Sequence, residues 1–507
     1  MPAARRRPLR FADVITATLR EGTPRALDPA LRELGCGAGG GDADITGITA
    51  DSRAVGPGVI FAALPGTRAD GRRFIGDAVA RGAAAVLAPL GTVWPEGVAR
   101  RPMIEDAEPR RLLARIAATL AGPAPRTLAA VTGTNGKTSS VDFLRQIWTR
   151  AGLAAASIGT LGVIAEGEQS GTGLTSPDPV TLANTLARLA RAGVADVAME
   201  ASSHGLDQFR LDGCAFAAAA FTNLTRDHLD YHGTMAAYRA AKLRLFEELL
   251  RDGGAVVATT TLDDETATAL AAIAARRRLP RVLVGGAPEA DLRLLAATPL
   301  PEGQELTIAA HEATHRLMLP VAGLFQADNA LVAAALAEAL GTDPWPHLPH
   351  LAPVRGRMER AAVLANGAAA YVDYAHTPDA LERLVAALRP HTQGRIILVF
   401  GAGGDRDPGK RPLMGAVART ADVAIVTDDN PRGEDPAAIR AAVMAACPGA
   451  IEIGDRASAI AEGLAMLRPG DVLAVAGKGH EQGQIVGRTV LPFDDASVIR
   501  DLAGAAR

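Results

Sequence analysis

Short apolar runs bounded by glycine and polar residues recur along this chain, and stretches with helical spacing lie between them. In the first part, apolar runs between residues 48 and 86 surround DSRAVGPGVIFAALPGTRADGRRF and lead through a helical AVARG to AAAVLA, which predicts a small α/β unit. In the middle part the pattern predicts strands at 194–199, 217–222 and 255–258 and a helix over 236–250. The last part repeats the alternation, with strands expected at 369–373, 395–400, 423–427 and 472–476. Strands alternating with helices predict an α/β fold built on parallel sheets. Polar, glycine-rich loops follow the strands of the last part, which is where ligands sit in doubly wound sheets.

Two proline-rich joints, GPAPRT at 122–127 and DPWPHLPHLAP at 343–353, divide the 507 residues into three expected domains, 1–122, 123–347 and 348–507. No repeat period runs through them. A net charge of −3, with no basic block beyond Arg5 to Arg7, argues against a nucleic-acid or anionic-membrane partner. The basic start reads as a disordered tail, because Asp13 interrupts any apolar core of a targeting peptide. Apolar stretches such as 215–221 are far shorter than a membrane span, so no membrane insertion is expected. Cys36, Cys214 and Cys447 are few, odd in number and far apart. They read as buried small hydrophobes in a reducing cytoplasm.

The most informative stretch is LAAVTGTNGKTSSVDFLRQIW, residues 128–148, an apolar strand that enters a glycine turn and then a helix. Gly133 and Gly136 let backbone N–H groups face an anion, the helix N-terminus adds its positive dipole end, Lys137 supplies charge, and the Thr138 hydroxyl can bind Mg²⁺. The full P-loop pattern fails because Val131 stands where a glycine is required, so this is a shortened variant, TGTNGKTS. ATP is the expected ligand of Gly133, Thr134, Asn135, Gly136, Lys137, Thr138 and Ser139. Glu200 and His228 lie where loops leave strands, and with Thr138 they could hold a divalent metal. Taken singly, His228 is as well read as a structural histidine.

These segments, taken in order, resemble the Mur ligases. The likeness rests on DSRAVGPGVIFAALPG, TGTNGKTS, MEASSHGLDQFRLDG, FTNLTRDHLDYHGTMAAYRAAKLRLF, GRMER, VDYAHTPDAL, GAGGDRDPGKRPLM, DDNPRGEDP and AGKGHEQGQ, and it spans nearly the whole chain. It implies a UDP-sugar-binding N-terminal α/β domain, a central P-loop-type parallel-sheet domain that binds ATP, and a C-terminal Rossmann-like domain that binds an amino acid. The implied reaction is ATP-dependent amide ligation: ATP phosphorylates a carboxylate, an amine attacks the acyl phosphate, and ADP and phosphate leave. The implied acceptor is UDP-N-acetylmuramoyl-L-alanyl-D-glutamate, and the implied enzyme is a cytoplasmic monomer of peptidoglycan precursor synthesis.

Site residues carry over by position. The lysine matching Lys242 is carbamylated in similar families, where it holds a second Mg²⁺ with the residue matching His228; without the resemblance Lys242 would read as a solvated helix lysine. Thr175, Ser176, Ser202, Gln208 and Arg210 fall on positions that grip the muramoyl-peptide, and Arg210 suits a carboxylate because its guanidinium pairs bidentately. Ala50, Ser52, Thr67, Arg68 and Ala69 fall on nucleotide-sugar positions. Asn329, Arg357 and Asp373 resemble ATP contacts, although the last two would otherwise read as a surface ion pair.

In family members that add meso-2,6-diaminopimelate the signature is DNPR, here Asp429, Asn430, Pro431 and Arg432. Arg432 with Arg406 can clamp the distal carboxylate that lysine lacks, Glu481 can receive the distal ammonium, and Gly477 belongs to the same set. On its own, DNPRGEDP is an ordinary polar turn with a helix cap. Leu174, Thr261, Gln326 and Arg355 depart from the family pattern and bear on secondary contacts. Two other readings are a lysine-adding or folylpolyglutamate-forming ligase, opposed by Arg432 and the DSR motif, and a nucleotide-binding regulator without ligation, opposed by Glu200, His228 and Lys242.

Overall fold

The computed structural model describes residues 9–10, 14, 44–66, 69–171 and 174–505. Cys36, the basic start, and Thr67 and Arg68 of the expected nucleotide loop lie outside them. The chain gathers into two compact units: Met1–Thr134, Leu153–Val256 and Asp263–Arg281 form one, and Asn135–Gly152, Val257–Leu262 and Val282–Arg507 form the other.

In the first unit, strands Gly47–Thr49, Val59–Ala62, Ala85–Pro89 and Met103–Asp106 make a parallel sheet in chain order. Successive strand residues serve opposite faces: Ile60 packs with Ile48, Leu87 and Ile104, while Phe61 packs with Val86, Ile75 and Trp94. Helix Pro109–Ala121 starts on a proline, whose missing N–H costs nothing there, and lays Leu112, Leu113 and Ile116 on the Ile60 face.

The same unit holds a second parallel set, ordered Ala155–Gly159, Asp196–Glu200, Thr127–Thr132 and Phe216–Phe221. Helix Pro179–Arg191 connects within it, its N-terminus capped by the Asp178 carboxylate on the N–H groups of Val180 and Thr181. The helix expected over 236–250 ends early. It runs Met235–Arg244, loosens into one π-helical turn, Leu245–Leu249, and gives way to strand Leu250–Thr259. Leu249 and Leu250 are adjacent and both buried, which a turn into a strand satisfies and a single helical face does not. The strand expected at 255–258 is correspondingly longer, its first half hidden in the sequence by the exposed Arg251, Asp252 and Gly253.

In the second unit, strands Leu292–Leu300, Gly303–Ala310 and Ala313–Leu319 form an antiparallel meander that the sequence reading did not single out. Its C-terminal sheet has the order Glu359–Val363, Ala369–Asp373, Val472–Ala476, Ile396–Phe400, Val423–Val426 and Ile451–Glu452, parallel except at the first edge. Ile396, Leu398 and Phe400 face one core and Ile397 and Val399 the other, so both faces are covered and the strand reads as one continuous apolar run. The α/β class and the parallel sheets expected from the alternation are present.

Among the described residues no helix is long and apolar enough to cross a membrane. Cys447 is buried and unbridged, as expected. Cys214 departs from the expectation: as a residue it is partly exposed, although burial of the thiol pushes its pKa up to about 12.

One buried ion pair fixes the C-terminal sheet's loop end. Arg456 and Asp495, both fully enclosed, share two hydrogen bonds of 2.7 Å, and Arg456 Nη2 also donates to the carbonyl of Ala476, 2.9 Å away, where a strand ends. Asp495→Ala leaves a guanidinium buried without its counter-charge and is expected to cost about 3–5 kcal/mol, read as a lower urea midpoint. A change under about 1 kcal/mol would show that solvent reaches Arg456.

Candidate active site

The strand Thr127–Thr132 and the helix Lys137–Arg150 bracket the expected phosphate cradle. Gly136 caps the helix in a left-handed conformation, with φ of 85°. Gly133 is needed twice over: its φ is 144°, and a Cβ there would overlap the Thr222 hydroxyl. Thr138 and Ser139 are buried in the first helical turn, and Lys137 is half-buried.

In the first unit, Lys242 is 1% exposed, so it is not the solvated helix lysine its neighbours in sequence would suggest. Its Nζ donates to the carbonyl of Gly133 at 2.8 Å and lies 4.6 Å from the centre of the Tyr238 ring. Glu200, 2% exposed, ends its strand with Oε1 accepting from the Thr160 N–H at 2.7 Å and Oε2 from the Thr160 hydroxyl at 3.2 Å. His228 is exposed rather than a core histidine, has a left-handed φ of 51°, and meets His204 edge to face at 4.8 Å. His204 also packs on Tyr231 and His232, and burial together with the neighbouring imidazoles pushes its pKa down.

The expected muramoyl-peptide residues are joined by hydrogen bonds. Ser176 Oγ donates to the Glu200 carbonyl at 3.0 Å and lies 3.0 Å from Ser202 Oγ; Thr175 Oγ1 is 3.1 Å from Thr160 Oγ1. Arg210 donates to the Ser176 carbonyl at 2.8 Å and to Gln208 Oε1 at 2.7 Å, and Gln208 reaches Tyr231 at 3.0 Å. Glu200, Thr175, Ser176, Ser202, Gln208 and Arg210 therefore form one connected set, in contact through Tyr231 with the His204 cluster. Ser52 begins a short turn capped by Asp51, and Ala50 and Ala69 are exposed. Among the described residues no group of three or more His, Cys, Asp and Glu side chains is placed to hold a metal ion.

In the second unit, Arg357 lies over the Tyr374 ring at 4.9 Å, and Asp373 accepts from the N–H groups of Met358 and Ala375 at 2.8 and 2.9 Å. Burial pushes the Asp373 carboxyl above its usual range, against the pull of Arg357. Asn329 is buried and donates to Gln326 Oε1 at 2.8 Å, so the unusual glutamine orients the expected ATP contact. Asn430 is the hub of the DNPR turn: its Nδ2 donates to Glu481 at 3.0 Å, and its Oδ1 accepts from Lys478 Nζ and the Ile485 N–H, both at 2.9 Å. Asp429 Oδ1 is buried without a hydrogen bond, 3.7 Å from Lys478 Nζ. Gly477, at φ 118°, sets the strand end beside Asp429. Arg432, with a left-handed φ of 52°, donates through Nη1 to the carbonyls of Gly404 at 2.9 Å and Asn430 at 3.4 Å. Arg406 is exposed on the neighbouring loop.

Models of three known domains match most of the chain: Mur ligase family, catalytic domain at residues 44–120; Mur ligase middle domain at 131–337; and Mur ligase, glutamate ligase domain at 356–479. A protein of Caulobacter vibrioides (strain ATCC 19089 / CIP 103742 / CB 15), named UDP-N-acetylmuramoyl-L-alanyl-D-glutamate–2,6-diaminopimelate ligase, is 52% identical over 474 residues, covering 91% of this chain and 96% of its own. The chain belongs to the Mur ligase family. A protein of the same name from Chelativorans sp. (strain BNC1) is 50% identical over 464 residues, with 91% and 95% covered. A solved structure titled with that ligase name superposes with a TM-score of 0.71 at 30% identity, covering 98% of this chain and 99% of the other.

Several residues of this Mur ligase site escaped the sequence reading. Lys478, fully buried, lies within AGKGH, and its flanking glycines were the available signal, since they let a charged side chain turn inward between close backbones. Tyr374 and His480 carried no such mark. Of the departures, Arg355 pairs with Asp494, Thr261 donates to Thr259 at 3.1 Å, and Leu174 is exposed.

His480 packs 5.1 Å from Tyr374, and burial with Arg357 and Arg355 nearby pushes its pKa down to about 4. Its ordinary value is about 6.5, so the unfolded Mur ligase takes up this proton first. The stability it contributes is full above that value and declines as pH falls toward about 4. Replacing His480 by Gln is expected to remove on the order of 1–3 kcal/mol of that acid-side decline. Urea midpoints of both proteins at neutral and acid pH measure it; equal declines would place the imidazole in solvent.

Proposed function

We propose that this Mur ligase is of the MurE type: it joins the amine of meso-2,6-diaminopimelate to the γ-carboxylate of the D-glutamate in UDP-N-acetylmuramoyl-L-alanyl-D-glutamate, consuming ATP, in peptidoglycan precursor synthesis. The observation that carries this is the 52% identity, over 91% of the chain, to a ligase of that name. The domain models match within the proposed domains 1–122, 123–347 and 348–507, which we assign to the UDP-sugar, ATP and amino acid respectively. We assign it to the cytoplasm as a monomer, as the resemblance to the Mur ligases implies.

The chemistry asks for charge neutralisation and positioning rather than elaborate proton transfer, because two anions must meet. Lys137 and the helix N-terminus at Gly136 neutralise the triphosphate, with Gly133, Thr134, Asn135, Thr138 and Ser139 lining the turn. Asn329, Arg357 and Asp373 are assigned to ATP as well. Thr175, Ser176, Ser202, Gln208 and Arg210 orient the dipeptide so that the glutamate oxygen takes the γ-phosphoryl group; the amine then attacks the acyl carbon and phosphate leaves. Ala50, Ser52, Thr67, Arg68 and Ala69 are assigned to the nucleotide sugar.

Glu200, a buried carboxylate whose oxygens accept from the Thr160 N–H and hydroxyl, suits a hard divalent cation. We assign one Mg²⁺ to Thr138, Glu200 and His228, and a second Mg²⁺ to a carbamylated Lys242 with His228. When bound, Mg²⁺ supplies positive charge against the phosphates.

The amino-acid choice rests on Arg432. Its hydrogen bonds engage Nη1, so Nε and Nη2 remain for the distal carboxylate of diaminopimelate. Arg406 adds charge, and Asp429, Asn430 and Glu481, framed by Pro431 and Gly477, suit the distal ammonium. A lysine substrate would bring only a cation toward Arg432.

ADP release measured with the muramoyl-dipeptide nucleotide and diaminopimelate, lysine or no amine tests the reading; it is expected only with diaminopimelate. Arg432→Ala should then cost on the order of 2–5 kcal/mol in kcat/KM for diaminopimelate, with the KM for ATP nearly unchanged. Wild-type kinetics in that variant would reduce the DNPR stretch to a turn.

A further inference from the structure

Phe209 stands between Gln208 and Arg210 with φ of 57°, a left-handed conformation in a residue with a bulky side chain. Two guanidiniums lie against its ring, with Arg111 Cζ 4.9 Å and Arg244 Cζ 4.4 Å from the ring centre. Both arginines converge on the same two carboxylates. Asp212, whose side chain is 2% exposed, lies 3.1 Å from Arg111 and 2.7 Å from Arg244; Glu248 lies 2.5 and 3.0 Å from them. Arg244 also donates to the Leu206 carbonyl, on the other side of Phe209 in sequence.

Arg111 belongs to helix Pro109–Ala121, the helix that closes the four-stranded sheet's core. The loop fits closely beneath that helix because residue 213 is a glycine: a Cβ there would meet the Ala114 carbonyl at 2.7 Å and the Ala118 methyl at 2.9 Å. Two independent contacts, the cation–π approach of Arg111 and the close approach at Gly213, therefore tie the Gln208–Arg210 loop to this one helix.

We propose that Arg111, Phe209 and Arg244 are positioning residues: the two guanidiniums hold the Phe209 ring, and the ring holds the backbone that aims Gln208 and Arg210 at the muramoyl-dipeptide. This rests on the reading of Gln208 and Arg210 given above. The helix packed on the sheet assigned to the nucleotide sugar thereby sets the loop assigned to the dipeptide, so both ends of one substrate are gripped in register. The ion pairs to Asp212 and Glu248 keep both guanidiniums against the ring, where a lone arginine would swing into solvent.

The test is steady-state ADP release in Phe209→Leu, Phe209→Tyr and Arg111→Ala, varying the dipeptide nucleotide, ATP and diaminopimelate separately, with calorimetric binding of the dipeptide nucleotide alone. Leucine keeps apolar packing but has no ring face; tyrosine keeps the face. Phe209→Leu and Arg111→Ala are expected to raise the KM and Kd for the dipeptide nucleotide roughly three- to tenfold, as loss of a half-buried cation–π contact implies. The KM for ATP and for diaminopimelate should stay within about twofold, and Phe209→Tyr should match wild type. Wild-type affinity in Phe209→Leu, or equal rises in all three KM values, would overturn the proposal. Should wild type itself fail to bind the dipeptide nucleotide, the assignment of Gln208 and Arg210 falls, and the clamp with it.

Discussion

In-register pairing of parallel strands is the constraint on which the candidate site depends. Glu200 pairs with Val131 and Phe221 with Thr132, so the loops carrying the Glu200 carboxylate, the TGTNGKTS turn and the TRDH segment leave their sheet at one level. Asp373 pairs with Ala476 in the C-terminal sheet, which brings the ends of the VDYAHT and AGKGH strands level in the same way. A slip of one residue would turn each strand-end side chain to the opposite face and move its loop by about 3.3 Å. Apolar residues on both faces of the strands make such a slip expensive, and the polar loops inherit that precision.

Burial of charge is the second organising feature. Lys242, Lys478, Glu200 and Arg456 are all nearly or fully enclosed, and each is held by backbone carbonyls, amides or an opposite charge. Such groups contribute little net stability, because desolvation offsets most of the attraction. What they supply is fixed orientation where water cannot screen, and that is the setting in which a phosphate or a carboxylate responds most strongly to a neighbouring charge.

Much of this was legible in the sequence, for reasons that differ by residue. The Gly133–Lys137 turn announced itself because a phosphate cradle needs glycine at positions where a Cβ cannot fit. The strands of the C-terminal sheet were legible because burial on both faces writes a continuous apolar run, and 369–373 and 472–476 coincide with the observed Ala369–Asp373 and Val472–Ala476. The antiparallel meander was not, since its outer strands bury only Leu292 and Leu319 fully and their exposed positions do not alternate. Nor was the burial of Lys242, which depends on the Gly133 carbonyl, 109 positions away in the chain. The Arg111–Phe209–Arg244 arrangement was invisible for the same reason: each residue is unremarkable locally, and only the packing of two helices on one loop brings them together.

The enclosed pair of Arg456 and Asp495 also limits how this sequence can drift. The two residues lie 39 positions apart and share both oxygens and two guanidinium nitrogens, so neither can change alone without stranding a charge. Exchange for an apolar pair of similar volume requires two simultaneous substitutions, passing otherwise through an intermediate that folds poorly. Since Arg456 also holds the carbonyl just before Gly477, even that exchange would release the turn beside Asp429. Drift in the core of the last sheet is thereby coupled to the turn proposed to choose the amino acid, and a change of that turn by this route would have to begin with a loss of stability.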